Sequence, residues 1–313
     1  MTNRSDFTSD FLVLELERRG APFVRFNTED YPTQTRVSWT ESSGTELTIS
    51  GRTLELSRVP AVWYRRPVPP AVPADYDRGQ AQWAADQARE ALDGVWRTLD
   101  ARWVNHPDNN RLAGNKPEQL RRARSFGLNV PASLVTNDAG RARHFYDEHP
   151  GGVIVKPVLS GRLTIGGAEQ IFFTSRLGGD ERQQLDGLGP EPYLLQTLVD
   201  KRYDVRVTVI NSEAFATRID SQSDADALVD WRRGHTPTLD HTCIELPDEI
   251  AERCLQLVRS YGLLFAAVDF AVDQDGRYLF FEINPNGQWA WIEHRTGQPL
   301  RARLADLLLG TST

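Results

Sequence analysis

At 313 residues and 35.3 kDa the chain is long for a single core, so two or three lobes sharing an interface are expected. Its formal charge of -7, with a pI near 5.5, leaves no broad basic field for nucleic acid, and any polyanion it holds must be small and locally bound. The longest apolar stretch, Tyr261 to Val272, is broken by Asp269 and falls short of the roughly 20 apolar residues that cross a bilayer, which excludes a membrane span.

Asp6, Asp10, Glu15 and Glu17 stand where a signal peptide would need apolar residues, so a cytoplasmic location is expected. Phe11 to Leu16 is an apolar run ending at the turn Arg19-Gly20, and Pro22 to Phe26 is predicted as a short strand. The customary first strand of an α/β lobe is then truncated, reduced to Met1 to Arg4, or lost to a misplaced start. Arg36 to Thr40 and Glu46 to Ser50 alternate around Ser42-Ser43-Gly44 and predict a hairpin, and Val59 to Arg65 is a further strand ending at Pro67. Between Asp75 and Leu99 the apolar spacing fits one long amphipathic helix. A first lobe is placed at 1–110.

A second lobe, 111–192, is predicted to hold a helix from Lys116 to Phe126 stopped by Gly127, a strand at Ser133 to Thr136 and a helix capped by Asp138. Strands at Gly152 to Pro157 and Ala168 to Thr174 flank the glycine-rich run Gly161 to Gly167. The third lobe, 193–313, alternates strands Tyr193–Val199, Tyr203–Ile210 and Ala214–Ile219 with a helix from Pro247 to Tyr261. Strands Phe265–Val272 and Tyr278–Ile283 and a last helix Pro299–Leu309 complete it. Cys243 and Cys254 suit neither a disulfide framework nor a zinc site and are read as reduced and structural.

Lysine occurs only at Lys116, Lys156 and Lys201, against 33 arginines. A chain that uses arginine for almost every cation keeps lysine where a compact ammonium is needed, and Lys116 and Lys156 are placed to reach the same phosphates from opposite sides. Backbone N–H groups of the run GRLTIGG, including Gly166 and Gly167, would close over a polyphosphate, although such a loop alone is more often a turn. No GxxxxGK[ST] string and no GxGxxG after a first strand occurs.

The strongest local signal is Val268-Asp269-Phe270 followed, after the turn Asp273 to Gly276, by Phe281-Glu282-Ile283-Asn284-Pro285-Asn286-Gly287. Two adjacent antiparallel strands would present Asp269, Glu282 and Asn284 on one face, a hard-oxygen set suited to Mg²⁺ shared with ATP phosphates. Arg206 and Arg218, on neighbouring strands, would neutralise a transferring phosphoryl group. The segment Tyr193 to Val199 has the form of an interlobe hinge whose backbone would meet an adenine edge.

Together these motifs resemble the ATP-grasp family over most of the chain, and specifically the peptide maturases that make graspetides, the microviridin-like ribosomal peptides. The resemblance lies in Trp63-Tyr64-Arg65-Arg66-Pro67, Asn115-Lys116-Pro117 with Gln119-Leu120, Val155-Lys156-Pro157, KRYDVRVTV from Lys201 to Val209, and Asp230-Trp231-Arg232. The closing run EINPNGQWAWIE, from Glu282 to Glu293, is its most specific part. It implies an α/β ATP-grasp fold with an N-terminal pre-ATP-grasp lobe, a small central lid lobe and a C-terminal antiparallel-sheet lobe. By the same resemblance Lys116 and Lys156 hold ATP phosphates, Gln196 to Val199, with Thr197 among them, the adenine, and Asp269, Glu282 and Asn284 the magnesium, with Arg206 and Arg218 beside the reacting phosphate; Gly166, Gly167 and Lys201 complete the expected nucleotide site. Thr197 departs from the acidic residue many ATP-grasp proteins carry at the hinge.

The activity so implied is activation of an Asp or Glu side chain of a precursor peptide as an acyl phosphate, displaced by a Thr or Ser hydroxyl or a Lys amine to give a macrocyclic ester or amide. A homodimer and a leader-binding hairpin in the third lobe, matched to Ser221–Glu245 with Asp224, Asp226, Asp230 and Arg232, are also implied, and the wording of the motifs is nearest the actinobacterial branch. A RimK-like ligase adding amino acids to a protein or small acid shares every ATP residue, and a catalytically silent nucleotide-binding module is the alternative from another class.

Overall fold

The computed structural model describes all residues except 160–161, 166–167, 179–184, 186–188, 234–237 and 312–313. In the N-terminal part, helix α1 (Phe7–Arg18) is followed by the strands β1 (Arg36–Thr40), β2 (Gly44–Ile49) and β3 (Arg52–Glu55), which form one antiparallel sheet. The predicted hairpin is thus present, with a third strand the sequence reading did not include. No strand forms at Pro22 to Phe26. Among the described residues the pairing beside it is a single parallel bridge between Thr2 and Asn27, and two residues are too few to hold a longer ladder. The amide of Thr2 donates to Phe26 O at 2.9 Å and the amide of Arg65 to Met1 O at 3.0 Å, so Met1 and Thr2 lie between two neighbours in the place of the reduced first strand.

Beside them, β4 (Ala61–Trp63) and β5 (Arg102–Val104) pair in parallel. Helix α2 (Arg78–Arg97) starts three residues inside the predicted span because Asp77 and Gln80 make a capping box. Its inner face, Leu92, Val95 and Trp96, packs on Phe26, Leu47 and Leu56. The short α3 (Pro107–Ala113) then leads into α4 (Lys116–Ser125), capped by Asn115 and ended before Gly127, whose φ of +80° favours glycine.

A second, four-stranded antiparallel sheet has the order β10 (Ser175–Leu177), β7 (Val153–Pro157), β11 (Tyr193–Thr197), β6 (Ser133–Thr136). Helix α5 (Ala139–Glu148), capped by Asp138 as expected, covers it through Ala142 and Phe145. The glycine-rich run contains a strand, β8 (Arg162–Ile165), which pairs with β9 (Ala168–Ile171). Gly166 and Gly167 lie outside the described residues.

The third sheet, antiparallel in the order β14 (His241–Ile244), β13 (Glu213–Ile219), β12 (Lys201–Ile210), β15 (Phe265–Asp273), β16 (Tyr278–Asn284), carries the largest core. Val205, Val207, Val209, Ala266, Val268 and Phe270 face α4 and helix α6 (Asp248–Ser260), burying Ile250, Cys254, Leu257 and Val258. The opposite face is divided. At one end Ile210 and Phe265 are covered by α1 and by the helices α7 (Ala290–Thr296) and α8 (Leu300–Leu309), while at the other Arg206, Asp269 and Glu282 form an open floor. Between Asp269 and Phe270 the β15–β16 register shifts, pairing Glu282 with Asp269 but Phe280 with Phe270. This bulge inserts Phe281, so Phe281 and Glu282 both line the floor while Phe280 and Ile283 stay in the core.

The stretch 221–245 is not a hairpin among the described residues. A short 3₁₀ turn at Ser221–Ser223 and further turns precede β14, and Ala227, Trp231 and Leu239 fold back onto Ile219. Both cysteines are free, Cys254 buried and Cys243 exposed. No described helix is long and apolar enough to cross a membrane.

Candidate active site

An open cleft lies between the β7–β11 sheet and the floor of the third sheet, walled on one side by the segment 228–232. Across it stand the lid-side Lys156 and the floor carboxylates Asp269 and Glu282. Strand pairing sets those two carboxylates directly opposite each other, and alternation puts Asn284, two residues after Glu282, on the same face. The amide oxygen of Asn284 accepts from Asn286 N at 2.9 Å.

Arg206 sits opposite Asp269 on β12 and binds it through both nitrogens, Nε–Oδ1 at 2.8 Å and Nη2–Oδ2 at 2.7 Å, with both side chains buried. Trp231 and Trp291 flank the guanidinium at 5.0 and 5.9 Å. Arg232 grips Asp230 with Nε and Nη2 and reaches Glu282 with Nη1 at 3.1 Å. Burial opposes the charged form of Glu282, but Arg232, Lys116, Lys156 and Arg206 together hold its carboxyl below the usual range.

The two lid-side lysines bond neutral oxygens among the described residues. Lys156 Nζ donates to Gln196 Oε1 at 2.9 Å and Lys116 Nζ to Pro157 O at 2.7 Å and Leu159 O at 3.2 Å. Burial lowers both, Lys156 to about 8, with the Glu282 charge pulling the other way. Ammonium groups desolvated beside a cleft and fed only by neutral acceptors suit an incoming polyanion.

Four expectations need correction. Arg218 pairs with Val205, not Arg206, so it faces the side of the sheet away from the floor, where it binds Asp220 and lies 4.3 Å from the Tyr203 ring. Lys201 lines the cleft, but its ammonium is committed to Asp204 at 2.6 Å and Val229 O at 3.2 Å. Gln196 lines the cleft, but its backbone lies between two paired strands, opposite Ser133 and Ile154, and its side chain bonds Lys156 and Ser133. Asp230 and Arg232 belong to the cleft wall, whereas Asp224 and Asp226 lie in a turn outside it, joined by a bond from Asp226 N to Asp224 Oδ1. At the hinge, Thr197 and Leu198 give their N–H groups to Ala132 and Gly152, so an adenine edge would be met by Val199 and the hinge carbonyls.

The sequence reading also passed over Phe281, which the bulge exposes and which lies 5.6 Å from the Lys156 ammonium, and Trp231 and Trp291 around Arg206. The tryptophans did stand in quoted motifs, and that was the available signal.

Among the described residues no three His, Cys, Asp or Glu side chains gather into a metal cluster. A divalent cation here would draw on two carboxylates and an amide, and the surplus of cationic groups supplies the complement of a polyphosphate. That donor set fits Mg²⁺ bound together with a nucleotide.

A lid sheet over an antiparallel floor with this charge pattern defines an ATP-grasp ligase. Residues 1–111 match the MvdD pre-ATP grasp domain. The chain is similar in structure to a RiPP-associated ATP-grasp ligase of Chryseobacterium gregarium in complex with ADP and a leader and core peptide, with 28% identity, TM-score 0.91 and coverage of 100% of this chain and 96% of that one. It is also similar to the macrocyclase MdnC of Microcystis aeruginosa MRC bound with the precursor peptide MdnA, with 26% identity, TM-score 0.88 and coverage of 99% and 98%. The ATP-grasp ligase PsnB complexed with minimal precursor, Mg and ADP matches at 26% identity and TM-score 0.78, covering 99% and 95%. No curated protein matches the sequence. Over nearly its full length the chain shares the fold of these RiPP-associated ATP-grasp ligases.

Proposed function

We propose that this protein uses ATP and Mg²⁺ to activate Asp or Glu side chains of a ribosomal precursor peptide as acyl phosphates, and closes macrocyclic esters or amides with Thr, Ser or Lys side chains of the same peptide. The observation that carries the reading is the face-to-face Asp269–Glu282 pair set beneath Lys156 and Lys116 in a cleft between two sheets. Structural relatives that share nearly the full length are bound to precursor peptides, ADP and Mg, which supports the same chemistry here.

Asp269, Glu282 and Asn284 would hold the metal, which supplies charge neutralisation for the phosphates. Lys156 and Lys116 bind and orient the polyphosphate from the lid side. Arg206, fixed by Asp269 and the two tryptophans, keeps a preorganised positive charge at the floor where charge develops on the transferred group. A carboxylate is a poor electrophile and its acyl phosphate a good one, so the remaining work is alignment of the nucleophile and exclusion of water. The reading divides the chain into a pre-ATP-grasp lobe at 1–110, a lid lobe at 111–192 and a C-terminal lobe at 193–313. It includes a cytoplasmic homodimer, supported by the exposed apolar row Phe7, Phe11 and Leu14 on α1, and contact of Asp224 and Asp226 with a basic leader residue.

The test is the intact mass of a Thr- and Asp/Glu-rich precursor peptide encoded beside this protein, after incubation with the protein, ATP and Mg²⁺. Loss of one water per ring, absent without ATP, is expected. Gain of amino-acid residues would replace the reading with a RimK-like ligase, and an unchanged mass despite tight ATP binding would replace it with a silent binding module.

A further inference from the structure

The floor strand β16 ends at Asn284 and continues into a loop through Pro285, Asn286 and Gly287. Side chains from outside the cleft hold its backbone at successive positions. Gln119 exchanges two bonds with Ile283, Nε2 to O at 3.0 Å and N to Oε1 at 3.1 Å. Asn105 Nδ2 donates to Pro285 O at 3.2 Å and to Phe265 O at 2.9 Å, while its Oδ1 accepts from Leu264 N and Phe265 N. Arg65 Nη1 donates to both Asn286 O and Gly287 O, the latter at 2.9 Å. The loop in turn holds Asn284, whose Oδ1 accepts from Asn286 N.

Arg65 is the unusual member of this set. It is 1% exposed, and among the described residues its Nε and Nη2 lack hydrogen-bond partners, its one ion-pair partner is Asp6, 3.4 Å from Nε, and the Trp63 ring lies 5.8 Å from the guanidinium carbon. A buried guanidinium so thinly compensated is a net cost to the fold, and an apolar side chain of similar volume would relieve it. What an apolar residue, or a lysine, lacks is a rigid nitrogen positioned to bridge two consecutive carbonyls.

We propose that Arg65 is a positioning residue for the metal site: from the pre-ATP-grasp lobe it fixes the Asn286–Gly287 carbonyls, and through Asn286 N it sets the orientation of the Asn284 amide toward the cation. The lobe that lends no side chain to the cleft wall thereby controls how well the cleft binds metal. This inference rests on the assignment of Asn284 and Glu282 to the metal.

The experiment measures Mn²⁺ binding to the full-length protein with saturating ADP, from the free-Mn²⁺ paramagnetic signal, for wild type, Arg65→Lys and Glu282→Gln. Groups that orient metal ligands typically change metal affinity by about 10–100-fold, and Arg65→Lys is expected to weaken Mn²⁺ binding by about tenfold while ADP affinity measured without metal stays as in wild type. Wild-type Mn²⁺ affinity in Arg65→Lys, with binding lost in Glu282→Gln, overturns the proposal alone. Retained Mn²⁺ binding in Glu282→Gln overturns the metal assignment beneath it. Should Arg65→Lys fail to fold, Asp6→Asn removes the anion beside Nε and so loosens the hold of the guanidinium on the two carbonyls. A several-fold loss of Mn²⁺ affinity in that variant supports the proposal, and none overturns it.

Discussion

Arg206 and Asp269 face each other across β12 and β15 and are joined by two parallel hydrogen bonds, at 2.8 and 2.7 Å, inside the protein. Each neutralises a charge that would otherwise stand desolvated. Breaking a buried pair by removing one partner costs about 3–5 kcal/mol, so Arg206→Ala is expected to lower unfolding free energy by about 3 kcal/mol in urea titration. Removal of the preorganised charge should also cut peptide turnover at least about 100-fold. A near-native rate in a folded Arg206→Ala protein would take this residue out of the reaction.

Glu282→Gln and Asn284→Ala should abolish ATP turnover while leaving precursor affinity within about threefold of wild type. Both residues act through metal and phosphate, and neither lies in the segment proposed for the leader. Fluorescence anisotropy of a labelled precursor measures the second quantity, and a parallel loss of peptide affinity would count against the assignment.

The Lys156 ammonium has its pKa brought down by burial to about 8, against an ordinary value of 10.5. Below pH 8 the group is charged and attracts phosphates, and as pH rises through 8 the charge is lost. ATP affinity should therefore fall between about pH 7.5 and 9.5, and Lys156→Arg, which does not titrate there, should flatten that limb. The folded protein gives up this proton before the unfolded chain does, so the group adds stability as pH climbs from 8 to 10.5. A weakening of ATP binding in that window is then not unfolding caused by Lys156. Equilibrium dialysis with labelled ATP across this range decides it, and a flat wild-type profile would remove Lys156 from the phosphate site.

Gly287 has no room for a side chain, because a Cβ there would come 2.3 Å from the Cβ of Ala267 on β15. Overpacking of this kind typically costs about 1–3 kcal/mol. Gly287→Ala should lower stability by that amount and displace the loop after Asn284, with loss of ATP turnover. The double variant Gly287→Ala/Ala267→Gly removes the clashing atom and should recover most of both, as read by thermal melting and phosphate release.

Much of this was legible in the chain itself. The apolar content of Tyr203–Ile210 and Phe265–Val272 located two strands of the third sheet within two residues, and Asn115, Asp138 and Gly127 marked helix ends through local capping chemistry. Asp269 and Glu282 could be paired because a turn between two strands fixes antiparallel register. Arg218 was misplaced because its side of the sheet depends on whether it meets Val205 or Arg206, a register that β13 acquires only on pairing. Phe281 was missed because a bulge leaves no mark in an apolar strand, and the first strand was ambiguous because two residues hold too little pattern. Arg65 gave no local sign of its function, since its partners Asn286 and Gly287 are more than 200 residues away in sequence.

The scarcity of lysine has a practical consequence. With every other basic side chain an arginine, the ε-amines of the whole chain are those of Lys116, Lys156 and Lys201, all in or beside one cleft. Lys201 is masked by Asp204, and of the other two Lys156 has its pKa brought nearest to neutrality. An amine-directed acylating reagent at mild pH is therefore an affinity label in all but name, and protection of one tryptic peptide by ATP would report occupancy of the cleft without any peptide substrate in hand.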